Sequence, residues 1–248
     1  MTILFSPSEA KHTGGASIPI AKEHYLFPEL FEHRVTMLRS YNDYMATASE
    51  AELKKLLGTK KESVIAYYRR DLFTQPTMKV IERYCGVAYD YLDYACLSAK
   101  EQAYIDRHVI IFSNLFGPLH AGDIGLPEYK LKQGEKIGTL APEIFYKQHF
   151  TQALHTLLAP EHYLDLRAGF YNKFYQPSSP YTTLKFIKEG KVVSHWAKAY
   201  RGIVLRCMAQ QQIHTIDDFM AMELENLVVK EIRHKGIHTE IVYHIIAS

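Results

Sequence analysis

A chain of 248 residues can bury one sizeable core and lies near the length at which cores begin to split, so a single domain spanning 1–248 is expected. Its 47% hydrophobic and 23% charged content excludes bulk disorder, and no run approaches the roughly 18 consecutive apolar residues that a membrane helix needs. The net charge of +2 and pI near 8.3 fall short of the pI above about 9 typical of a dedicated nucleic-acid domain, so a polyanionic partner would have to be met by local clusters of cations.

Met1 to Phe5 carries no basic segment ahead of its apolar residues and reads as a buried strand feeding a loop at Ser6 and Pro7. From Pro28 to Leu57 apolar residues recur at spacings of three and four, which predicts helices, the last of them running from Glu50 and stopped by Gly58. Glu62–Phe73 and Pro76–Tyr84 read as further helices, followed by a tyrosine-rich stretch at Tyr89, Tyr91 and Tyr94. Ser98 with Glu101 has capping-box spacing and starts a helix expected to end near Leu115; its segment His108–Phe112 also fits a buried strand. Pro142–Leu158 reads as a helix, and Tyr163, Leu164, Leu166, Phe174 and Tyr175 as strands around a turn at Ala168 and Gly169. Thr182–Ile187, the turn Glu189–Gly190 and Lys191–His195 form the clearest hairpin signal. Helices are expected at Lys198–Gln211 and Ile216–Glu223, and a last strand at Glu240–Ile246. The fold class that follows is α+β, a mixed β-sheet packed with helices.

Cys85, Cys96 and Cys207 include no Cys-x-x-Cys pair, which argues against a disulfide framework or a zinc knuckle and for a reducing, cytoplasmic compartment. His234 and His238 are four apart but lack a third ligand at a suggestive distance, so no metal is expected. P-loop, dinucleotide-binding and nucleophile-elbow signatures are absent, and no cofactor is expected.

Two segments are locally basic. Lys54, Lys55, Lys60, Lys61, Arg69 and Arg70 stand against Glu52 and Glu62, while Lys185, Lys188, Lys191, Lys198, Arg201 and Arg206 stand against Glu189. They would make one positive surface if folding brought them together. Lys198 and Arg201 share one face of their helix, with Gly202 permitting close approach of another backbone, and Arg201 has the fork geometry that grips a phosphate. Ser8, Glu9 and Lys11 leave the end of the first strand, a common place for binding residues, although a solvated loop would look the same. Asn114–Gly117 could offer turn amides to a phosphate or simply cap a helix, and Tyr129 could stack on a base or complete the core.

Four blocks resemble the YaaA peroxide-stress family, in the same order and at similar separations. They are ILFSPSEAK at Ile3–Lys11; Tyr84, Cys85, Gly86, Val87, Ala88 and Tyr89; the stretch Asp106–Gly134; and WAKAYRG at Trp196–Gly202. The chain departs from the family pattern at Val87, Asn114, His120, Lys130 and Lys132, where Asp, Gly, Arg, Arg and Glu are usual, and it lacks the carboxyl-terminal Asp and Ser cluster. The resemblance implies a cytoplasmic role in the response to hydrogen peroxide. It also implies a helix-hairpin-helix-like segment around Asn114–Gly117 and binding to double-stranded DNA through a basic cleft. Ser8, Lys11, Asn114, Gly117, His120, Tyr129, Lys130, Lys132, Lys198 and Arg201 are then the candidate phosphate contacts. The alternative is an enzyme acting on a nucleotide-like or other phosphorylated substrate in a crevice lined by Ser8, Glu9, Lys11, Tyr129, Lys198 and Arg201. Glu9 would there be general base, and Lys11 or Arg201 would hold the phosphate.

Overall fold

A computed structural model of the chain describes residues 1–159 and 161–246, with the side chains of residues 192, 194 and 195 outside the description. The first strand, β1 (Ile3–Phe5), is fully buried and pairs in parallel with β3 (Val109–Ser113) on one side and β6 (Tyr163–Asp165) on the other. β6 continues in parallel to β7 (Tyr181–Lys188), and β7 to β10 (His238–Ile245). Antiparallel edges close the sheet: β4 (Gly117–His120) beside β3, and β9 (Leu227–Lys235) beside β10, giving the order β4-β3-β1-β6-β7-β10-β9. A small second sheet pairs β2 (Thr77–Met78) with β5 (Leu126–Pro127). Parallel strands need covered faces, and β1 and the Val109–Phe112 stretch of β3 read accordingly as unbroken apolar runs.

Helices supply that cover. α1 (Phe31–Thr47) buries Val35, Met37, Leu38, Tyr41 and Met45, which recur at helical spacing. α2 (Glu50–Leu57) begins with a full Ser49–Glu52 capping box and ends at Gly58, whose φ of +60° is the left-handed conformation glycine adopts without strain. The short α3 (Glu62–Tyr68) follows, then α4 (Val80–Arg83) and α5 (Val87–Leu92). α6 (Ala99–His108) starts with the second capping box, Ser98 with Glu101. α7 (Pro142–Leu158) buries Tyr146, Phe150, Leu154 and Leu158. α8 (Ser194–Gln211) packs against α5, and α9 (Ile216–Ala221) completes the helices.

Several boundaries differ from the sequence reading. The helix predicted to reach Leu115 stops at His108, and the alternative, a buried strand, forms as β3. Five successive residues without exposure have no polar face to turn toward water, so a central strand is the stable outcome. Pro76–Tyr84, read as one helix, divides into β2 and the single turn of α4. Phe174 and Tyr175 follow a 3-10 turn at Gly169–Lys173 instead of forming a strand. The β7 hairpin turns at Glu189 and Gly190, both at positive φ, but its return strand β8 (Lys191–Val192) is short because α8 begins at Ser194. β9 was not expected at all: eight of its nine residues are exposed, so apolar alternation is missing from its sequence.

Candidate functional site

β1 is the point where the sheet changes direction, because the chain reaches β3 on one side and later returns to β6 on the other. Crevices at the carboxyl ends of parallel strands open at such switch points. Here a crevice of about 390 Å³ lies beyond Phe5 and Ser6, with Leu166 and Ala168 from the end of β6 forming another wall. Ser6 ties those walls together: its hydroxyl accepts the Ala168 N–H at 2.8 Å, and its carbonyl accepts the Tyr89 hydroxyl at 2.9 Å.

The remaining walls come from Ser8 and Glu9, from Gly86–Tyr89 at the start of α5, from Gln133, and from Lys198 and Arg201 on α8. α8 reaches the crevice because Gly202 presses against α5; a Cβ there would stand 2.0 Å from the Ala88 carbonyl oxygen. Ser8 makes a looser approach, its hydroxyl 3.1 Å from where a Gly86 Cβ would sit. Lys198 is exposed at the rim. Arg201 lies deeper, and burial lowers the pKa of its guanidinium while Asp165 opposes that shift. A desolvated cation of this kind is favoured by an incoming anion.

Glu9 connects the crevice to a second region. Its carboxylate accepts the Gln133 N–H at 3.1 Å, and one residue earlier the Lys132 N–H donates to the Leu56 carbonyl of α2 at 2.9 Å. Lys132 also packs along Gly58 and pairs with Glu135 at 3.3 Å, and Glu135 pairs with Lys55 at 3.7 Å. Lys130 faces α3 across an open cavity of about 450 Å³ lined with Ser63, Val64, Tyr67 and Tyr68. The loop 130–133 therefore joins the first basic segment to the crevice carrying Lys198 and Arg201.

Other candidates lie elsewhere. Lys11 is not among the crevice-lining residues; its ammonium folds under the loop and donates to the carbonyls of Ser8 at 3.2 Å and Glu9 at 3.3 Å. It sits 4.0 Å from the centre of the Tyr129 ring, and burial, reinforced by Lys130, pushes its pKa down to about 7. Glu9 is exposed, so the pairing of a buried carboxylate with Lys11 that general-base chemistry would favour does not form. Tyr129 takes the core reading, buried and bonded to the hydroxyls of Ser113 at 2.7 Å and Tyr84 at 3.2 Å.

The Asn114–Gly117 turn connects β3 to β4 inside the core. Phe116 is fully buried, the Phe116 N–H is taken by the Ser113 hydroxyl at 3.0 Å, and Asn114 bonds to Tyr171 and to the Leu131 carbonyl. Gly117 lies under Tyr146, where a Cβ would come within 2.3 Å of the ring. A phosphate arriving from solvent finds none of these groups in the crevice, which corrects the expectation that Asn114 and Gly117 form its seat. His120 stands at the far end of β4, where its backbone N–H and that of Leu26 both donate to Asp123. Burial raises the pKa of that carboxyl.

The sequence reading did not assign a role to Gln133, Leu166, Ala168 or Tyr171. Buried Asp165 at the end of β6 was the available signal, since a carboxylate closing an apolar strand requires a partner. That partner is Arg167, joined through two bonds of 2.9 and 2.8 Å.

The family described as peroxide stress protein YaaA matches residues 1–233. An uncharacterized protein of Campylobacter jejuni is 47% identical over 246 residues, covering 99% of this chain and all of the relative. A UPF0246 protein of Corynebacterium glutamicum is 35% identical over 241 residues, covering 93% and 95% of the two chains. One from Streptomyces coelicolor is 27% identical over 217 residues, covering 84% and 82%. With that match across nearly its whole length, the chain belongs to the YaaA family of peroxide stress proteins.

Proposed function

We propose that this peroxide stress protein binds double-stranded DNA, with Lys198 and Arg201 at the crevice and Lys130 and Lys132 beside it as the principal phosphate contacts. The observation that supports the reading is that the loop carrying Lys130 and Lys132 touches both α2 and the edge of the crevice that Lys198 and Arg201 line. The Lys132 N–H to Leu56 carbonyl bond and the Gln133 N–H to Glu9 bond bring α2 and the crevice onto one continuous loop. Such a surface recognises backbone charge without reading bases, so affinity depends steeply on salt. Fluorescence anisotropy of a labelled duplex, titrated at several salt concentrations, tests it. Affinity that falls by orders of magnitude between about 50 and 200 mM salt is expected, and absence of binding at the lowest salt rejects the reading.

A second reading is favoured by the crevice itself, whose volume of about 390 Å³ falls within the roughly 300 to 1,000 Å³ of small-molecule sites. In it, Arg201 and Ser8 would hold the phosphate of a nucleotide-sized ligand. Calorimetric titration with mononucleotides separates the two: micromolar binding of a mononucleotide with no affinity for duplex selects the second.

A further inference from the structure

Helix α3 is attached to the body of the protein by few contacts. Ile65 is its one buried residue, and Tyr67 is 39% exposed. Its principal ties are two hydrogen bonds, in which the hydroxyls of Tyr67 and Tyr68 each donate to the carboxylate of buried Glu128 at 2.7 Å. The segment begins after Gly58, at φ +60°, and ends at Asp71, which is fixed by the Asn42 amide at 2.6 Å. Exposed Lys60 and Lys61 precede the helix, and exposed Arg69 and Arg70 follow it. Arg70 lies over the Tyr67 ring at 3.7 Å. Beneath α3 is the open cavity shared with Lys130, and residues 130–133 run from there to the crevice, a span of about 10 Å for an extended chain.

We propose that α3 is a basic strap that closes over the backbone of bound DNA at Lys130, with the Tyr67 and Tyr68 bonds to Glu128 as its latch. This rests on the DNA reading above. A helix burying one apolar side chain opens at small cost. Four cations flanking it repel one another and Lys130 until phosphates lie between them. The latch offsets that repulsion in the free protein, because the two phenolic hydrogen bonds to the Glu128 carboxylate form only while α3 is down.

Hydrogen exchange of residues 59–71, with and without a duplex of about 20 base pairs, reads the strap directly, and charge reversal reads its energy. Slowed exchange in that segment on adding DNA is expected. The double variant Lys60→Glu with Lys61→Glu should bind at least about tenfold more weakly near 100 mM salt, with the logarithmic salt slope reduced by about two. Tyr67→Phe with Tyr68→Phe should speed exchange of 59–71 in the free protein while leaving the crevice segments unchanged. Binding that depends on Lys198 and Arg201 yet leaves 59–71 and the Lys60, Lys61 variant unaffected overturns the strap alone. Failure of the wild-type chain to bind DNA overturns the strap together with the reading on which it rests.

Discussion

Gly202 of α8 meets the carbonyl of Ala88 in α5 so closely that a methyl group at its Cα would stand 2.0 Å from the oxygen and 2.9 Å from the carbonyl carbon. Backbone, not a flexible side chain, is the obstacle, so neither helix can yield locally. Gly202→Ala should therefore cost about 3 kcal/mol or more, the upper range for overpacking a close contact. Urea denaturation measures the loss. Because Lys198 and Arg201 ride on the same helix, the variant should also lose ligand affinity under conditions where it remains folded.

Asp165 and Arg167 form a buried pair in which the guanidinium also donates to the carbonyls of Tyr171 and Tyr175 at 3.2 Å. Asp165→Asn keeps the shape and leaves an uncompensated cation in the core beside Phe112. The expected loss is about 3 to 5 kcal/mol, as for other buried pairs broken on one side. Arg167→Met removes the charge but strands the carboxylate, and it should be similarly damaging in chemical denaturation.

Lys11 links stability to alkaline pH. Its folded-state pKa of about 7 lies below the unfolded value of 10.5, so between those values the unfolded chain binds more protons. Stability attributable to this group therefore rises with pH from about 7 toward 10. Denaturation midpoints from pH 6.5 to 9.5 should climb more steeply for the wild type than for Lys11→Met, which preserves the stem and removes the titration. Equal slopes would show that the ammonium is not desolvated beneath the Ser8–Glu9 loop.

His33 of α1 and His149 of α7 stack with ring centres 3.9 Å apart. Burial, followed by His33, lowers the pKa of His149 below its ordinary value of 6.5. The neutral ring is thus favoured in the folded state, and stability is lost as pH falls from 6.5 through the folded value. His33→Gln should reduce that acid sensitivity, which thermal melts at pH 7 and pH 5 would register as a smaller drop than in the wild type.

Much of this organisation can be read from the residues. Ser98 with Glu101, Gly58 after α2 and the Glu189–Gly190 turn signal their elements because the chemistry of caps and turns is local. Gly202 inside a helix announces a close approach because a residue without a side chain lets another backbone come near. The Asn114–Gly117 turn is ambiguous in sequence because its residue types are shared by exposed caps and buried hairpins, and only the packing of Tyr146 and Ser113 decides between them. Lys11 looks like a phosphate contact in sequence, yet the nearest acceptors in space are the carbonyls of its own loop. The meeting of Lys132 with α2 and of Gln133 with Glu9 depends on contacts between residues 76 and 124 positions apart, which no local pattern encodes.

The central claim is that DNA phosphates are held where α8 meets the crevice. Its most direct test is the affinity of the double variant Lys198→Glu with Arg201→Glu for duplex DNA, measured by anisotropy against salt beside the wild type, with circular dichroism confirming the fold. The account expects the variant to lose at least about tenfold in affinity and to show a logarithmic salt slope shallower by about two. Wild-type affinity and slope in the folded variant would contradict it.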